Sequence, residues 1–143
     1  MYTIKCERIH PNAVLPRYAH PEDAGMDLSA VETVVLEPGK SALVKTGLVL
    51  ELPENTEAQI RPRSGLALKH AVTVLNAPGT IDQGYRGEIG VILINHGSTP
   101  FTVEPGMRIA QMVIAPVVHG EIVEASVSEN SLRGAGGFGS TGK

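Results

Sequence analysis

Leu75-Asn76-Ala77-Pro78-Gly79-Thr80-Ile81-Asp82-Gln83-Gly84-Tyr85-Arg86-Gly87-Glu88 is the stretch from which the chain is best read. Apolar runs of β type flank it, Val72 to Leu75 and Ile89 to Ile94, so it reads as a long hairpin loop between strands. A simple turn needs one or two special residues. This loop carries several glycines, a proline, an amide, a carboxylate and a tyrosine. Glycines let a backbone approach a ligand closely. Asp82 beside such a cradle is a candidate general base, and the Tyr85 face is able to pack on a flat ring or a sugar. An irregular loop with a polar tip explains the stretch alone equally well.

Working outward, the chain reads as β throughout. Val31 to Leu36, Ser41 to Leu52, Ala58 to Ile60, Val72 to Leu75, Glu88 to Asn95, Phe101 to Glu104, Arg108 to Val117 and Glu121 to Val123 are short, branched and apolar. Turn signals between them suggest a sandwich or barrel. Glu37-Pro38-Gly39-Lys40 and Glu104-Pro105-Gly106-Met107 share the Pro-Gly pattern of a type II turn. Ser64 to His70 alone looks helical, with Ser64 as the expected N-cap. At 143 residues one domain is expected. We divide it into a β domain over 1–128 and a mobile arm over 129–143, where the composition turns to glycine.

That arm contains two misleading patterns. Gly134-x-Gly136-x-x-Gly139 fits the dinucleotide fingerprint but lacks the helix and acidic residue that must follow. Gly137-x-x-x-x-Gly142-Lys143 mimics a Walker A loop with nothing after its lysine. The local chemistry is still apt for phosphate: free amides, the hydroxyls of Ser140 and Thr141, and Arg133. Phe138 is suited to closing over a flat base. A disordered solubilising tail is the plain alternative.

Three further clusters are polar. Ala24 to Ala30 holds Asp27 at a strand start, where a carboxylate either orients metal-bound water or caps a turn. Ile60 to Leu66 sets Arg61 and Arg63 at the mouth of the short helix, where free amides favour an anion over a mere surface ion pair. In Arg108 to Val113, alternation puts Arg108, Ala110 and Met112 on one face and Ile109, Gln111 and Val113 on the other. Gln111 on an apolar strand then requires a ligand oxygen or a water. The five histidines are scattered and there is a single cysteine, so no zinc cluster is expected. A metal, if used, is a hard ion such as Mg²⁺ held mostly by substrate phosphates. The net charge of −3 argues against coating nucleic acid, no apolar run reaches membrane length, and the start shows no signal-peptide core. The lone cysteine suits a reducing, cytoplasmic setting.

Ala24 to Ala30, Arg63 to Lys69, Asn76 to Glu88, Arg108 to Val113 and the Arg133 to Gly142 arm, in that order, resemble the five motifs of the trimeric dUTPases. The resemblance covers nearly the whole chain. It implies an all-β, jelly-roll-like distorted barrel, a homotrimer with shared active sites, Mg²⁺, and hydrolysis of dUTP to dUMP and pyrophosphate. Such an activity limits uracil in DNA and supplies dUMP for thymidylate synthesis. By the same resemblance Asn76, Gly79, Ile81 and Tyr85 form the uracil and deoxyribose pocket, Tyr85 excluding a ribose 2′-OH. Asp82 activates the water that attacks the α-phosphorus, and Gln111 lies near both. Arg63, Ser64 and Gly65 bind the phosphates, and Asp27 holds metal-bound water. Arg133, Gly139, Ser140 and Thr141 clasp the γ-phosphate, with Phe138 over the base. One departure is visible: Gln83-Gly84 stands where many relatives have Ser-Asp or a similar pair.

Two rival readings follow from the same residues. A dCTP deaminase of this fold would want a glutamate in the base pocket, where the loop offers Asp82. A non-catalytic, nucleotide-sensing jelly roll would gain little from a water-activating carboxylate.

Overall fold

Short strands with one apolar face are stable only when that face is covered, and here they cover one another in two layers. The structure, a computed structural model, describes residues 1–142. In chain order it forms β1 (Lys5–Arg8), β2 (Met26–Ser29), β3 (Val34–Leu36), β4 (Ser41–Glu51), β5 (Thr56–Arg61), α1 (Ser64–His70), β6 (Val72–Val74), β7 (Gly79–Ile81), β8 (Glu88–Asn95), β9 (Phe101–Val103) and β10 (Arg108–Pro116). One sheet runs β1-β4-β8-β6, the other β2-β10-β5-β7, and β3-β9 form a small third ladder. This is the all-β jelly roll expected, with one short helix.

Alternation along β8 sends Ile89, Val91 and Leu93 inward against Leu48, Leu50 and Val44 of β4, while Leu28, Ile109 and Met112 come from the second sheet. Burying each large aliphatic side chain contributes about 1.5–3 kcal/mol. Asn95 ends the buried row of β8. Its Nδ2 donates to the carbonyls of Leu36 and Thr99 at 2.9 and 2.8 Å, and its Oδ1 accepts the Gly97 N–H at 2.8 Å. An amide buried this deeply is tolerable because every polar atom is used.

Both Pro-Gly turns form as read. Gly39 and Gly106 take φ of 76° and 85°. Lys40 and Met107 each donate to the residue three back, at 3.0 Å. Four local expectations are corrected. Residues 121–123 form no strand, and Ile122 lies exposed. Ser64 is the first helical residue rather than the N-cap; Arg63 occupies that position in extended conformation, without a side-chain cap. The strands at Lys5–Arg8 and Gly79–Ile81 were not expected, the first too polar and the second hidden inside the hairpin loop. Strict alternation also fails in β10, where a bulge between Arg108 and Ala110 buries both Ile109 and Ala110.

Candidate functional site

That bulge builds the first part of the site. The extra residue shifts the pleat, so Arg108 opposite Ser29 and Gln111 opposite Asp27 share a face. Asp27 on β2 then lies between two guanidiniums. Arg63 Nε is 3.6 Å from its Oδ1 and Arg108 Nη1 is 3.4 Å from its Oδ2. Arg63 also donates to the Arg108 carbonyl at 3.0 Å. Gln111 Nε2 donates to the Pro62 carbonyl at 3.0 Å, which satisfies that half of the amide within the chain. Gly25 faces the other side of that amide, where a Cβ would collide with Gln111 Oε1. Asp27, Arg63, Arg108 and Gln111 are thus one cluster with net positive charge, and Ser64 and Gly65 open the helix beside it. Simple alternation places Arg108 on the opposite face from Gln111; only the bulge reveals it as a member. A cavity of about 630 Å³, lined by Arg17, Tyr18, Asp27, Ser29 and Arg108, adjoins the cluster.

The second part is the hairpin. β6 and β8 are paired neighbours, as a hairpin requires, but the loop between them crosses to the other sheet as β7 and pairs with β5. Asn76 packs on Gly79, where a Cβ would approach its amide to 3.3 Å. Asp82 follows Ile81 at the end of β7, and Tyr85 N–H donates back to the Asp82 carbonyl at 3.1 Å. Tyr85 is fixed as well: its hydroxyl donates to the Glu88 carbonyl at 3.0 Å, and the ring lies against Gly87, where a Cβ would strike it. Leu43, Ile81, Asp82, Tyr85, Glu88 and Ile92 line a depression of about 240 Å³. Asp82 also borders a second hollow of about 130 Å³, with Asn55, Glu57, Gln83 and His119.

Strand register separates these two parts. Gln111 pairs with Arg61, whereas Ile81 pairs with Ala58 on the other side of the same strand. Asp82 is therefore about 13 Å along the sheet and about 10 Å across it from Gln111, by ordinary strand geometry. One chain does not bring them together. The third part, the arm, is bonded locally. Arg133 Nε donates to the Gly136 carbonyl at 2.9 Å, Ser140 N–H to the Gly137 carbonyl at 3.0 Å, and Gly142 N–H to the Gly139 carbonyl at 3.2 Å. Phe138 takes φ 50° and is fully exposed. Among the described residues, no group of three or more His, Cys, Asp or Glu converges as a metal cage. No helix among them is long and apolar enough to cross a membrane.

Fold and site together define a jelly-roll protein with a cationic cluster beside one sheet and a largely apolar depression, bordered by Asp82, Tyr85 and Glu88, at a sheet-crossing hairpin. The dUTPase family model matches residues 11–142. The chain is 64% identical over 142 residues to a deoxyuridine 5'-triphosphate nucleotidohydrolase of Clostridium tetani, covering 99% of this chain and 98% of that one. It is 63% identical over 139 residues to one of Crocosphaera subtropica, covering 97% and 98%. Among solved structures, the dUTPase of Staphylococcus bacteriophage 80alpha with dUPNHPP superposes with a TM-score of 0.91 at 31% identity, covering 99% of both chains. A dUTPase from phage phi11 of S. aureus, described with a structural Mg(II) ion, reaches 0.82 at 27% identity, covering 89% of this chain and 99% of that one. The chain belongs to the dUTPase family.

Proposed function

We infer that the chain hydrolyses dUTP to dUMP and pyrophosphate at sites assembled from more than one subunit of a homotrimer. The observation that carries the shared site is the register: the candidate base, Asp82, and the cationic cluster lie on opposite sides of β5, offset along it. A neighbouring copy supplies what one chain separates.

Each group has a defined task. The hairpin depression takes the uracil and deoxyribose, with backbone groups from Asn76 to Ile81 reading the base edge. Tyr85, locked by Glu88 and Gly87, leaves no room for a ribose 2′-OH. Asp82 accepts a proton from the attacking water and aims its oxygen at the α-phosphorus. The electron pair of the breaking P–O bond leaves with pyrophosphate. Gln111, its Nε2 held by Pro62, presents Oε1 toward that water. Arg63 and Arg108 neutralise phosphate charge with Ser64 and Gly65. Such a reaction depends mainly on alignment and charge stabilisation. The arm clasps the distal phosphates through Arg133, Gly139 and Ser140 and lays Phe138 over the base.

The residues also fit a Mg²⁺ carried by the substrate. Asp27 is a lone carboxylate already compensated by two arginines, which suits holding a metal-bound water rather than the ion itself. When bound, the ion stabilises charge on the leaving pyrophosphate. A cytoplasmic setting belongs to the same reading.

Two inactive variants test it together. Asp82→Asn keeps its arm, and a chain lacking residues 133–143 keeps Asp82. Each alone is expected to lose kcat at least about a hundredfold. Unfolded together and refolded at equal ratio, they restore activity at roughly a quarter of sites if hairpin and arm come from different subunits. No recovery, with mixed oligomers confirmed by mass, defeats the shared site.

A further inference from the structure

Gln83, next to Asp82, is held from both ends. Its side-chain Oε1 accepts the Asn55 N–H at 2.9 Å, and its carbonyl accepts Arg86 Nη1 at 2.9 Å. Neither partner is loose. Asn55 takes the left-handed φ of 59° in the turn joining β4 to β5. Buried Thr56 pins that turn by donating to the Pro53 carbonyl at 2.6 Å. The Asn55 carbonyl accepts the Val117 N–H at 2.8 Å, so the hairpin and the root of the C-terminal segment meet on one residue. Arg86 Nη2 lies 3.8 Å from Glu51, which Lys5 contacts at 2.7 Å.

Beyond the Tyr85 N–H on the Asp82 carbonyl and the Tyr85 hydroxyl on the Glu88 carbonyl, the glycines of the loop offer little to hold it. A Cβ on Gly84 would meet nothing, and Gly87 only makes room for Tyr85. Glycine-rich backbone retains freedom that a reacting carboxylate cannot tolerate. A misplacement of about 1 Å is enough to cost on the order of a hundredfold in rate. Only a long side chain with a terminal acceptor reaches from this position to the Asn55 amide.

We propose that Gln83 is a positioning residue for the hydrolysis: its side chain, anchored on the Asn55 N–H, fixes the direction in which Asp82 presents its carboxylate. This inference rests on the reading of Asp82 as the base.

The test compares Gln83→Leu, which keeps bulk and loses the acceptor, with Gln83→Glu, which keeps it. Gln83→Leu is expected to lower kcat about tenfold with KM within about twofold, while Gln83→Glu retains more than about half of kcat. Amide exchange at Asn55 quickens in the first and not in the second. A Gln83→Leu enzyme with full kcat, beside an inactive Asp82→Asn, overturns this proposal alone. Equal losses in the leucine and glutamate variants also overturn it. Full activity of Asp82→Asn overturns the base reading itself, and the proposal with it.

Discussion

In the proposed reading Arg63 and Arg133 both serve phosphate, one beside the sheet and one in the arm. Arg63 stands at the N-cap position of α1, just after β5, 3.6 Å from Asp27 and 3.0 Å from the Arg108 carbonyl. Arg133 has only its own segment, donating to the Gly136 carbonyl three residues on. The first is ordered before any ligand arrives. Its orienting cost is met by folding, so it helps set both stability and function. In the proposed reading the second is ordered by the phosphate it clasps, and the entropy lost there comes out of binding. Damage to the sheet cluster should therefore appear in the melting curve, and damage to the arm should not.

The largest expected effect follows from the arm. Removing residues 133–143 should lower kcat/KM for dUTP at least about a thousandfold, the scale of losing an arginine clamp in phosphoryl transfer. The melting temperature should stay within about 2 °C, because no strand is lost. A fall of many degrees would erase the contrast between arm and cluster. A middle effect is expected from Gly25→Ala. The new methyl collides with Gln111 Oε1 and must push that side chain off the Pro62 carbonyl. Overpacking of this kind costs about 1–3 kcal/mol, and kcat should fall with it by about tenfold. Thermal melts and steady-state kinetics read both. Lost activity with unchanged stability would mean that the cluster, like the arm, is ordered by substrate.

The smallest effect belongs to the outer clamp, Lys5–Glu51–Arg86. The Lys5 hydrogen bond and charge hold the Glu51 carboxyl below the ordinary glutamate range. A lowered folded-state pKa contributes stability above the unfolded value and loses it as pH falls through the folded one. Stability curves of the parent and Glu51→Gln should therefore differ slightly at neutral pH and converge in acid. Curves that diverge further in acid would reverse the sign of the effect. The exposure of this pair keeps the difference small.

The barrel was legible because its signals are local. Pro-Gly fixes a turn through one positive φ, and alternation along Glu88–Asn95 predicts the buried row of β8. The cluster was legible by residue type and not by geometry. Arg108 and Gln111 share a face only because a bulge consumes one residue, and a bulge in mid-strand leaves no compositional mark. β7 was hidden for another reason. A three-residue strand inside a polar loop has too few positions to show a period, and pairing with β5 alone defines it. Residues 121–123 show the converse: Ile122 and Val123 have β propensity, yet the segment forms no strand within the chain.

The crossing made by β7 also changes how the molecule comes apart. Its flanks belong to β6 and β8 in one sheet, while β7 itself is laced to β5 in the other. The sheets cannot peel away from each other without opening the loop that carries Asp82. A ligand seated in that loop therefore grips both halves of the barrel. Its binding energy enters the global unfolding free energy, growing with the logarithm of ligand concentration, rather than quieting one flexible loop.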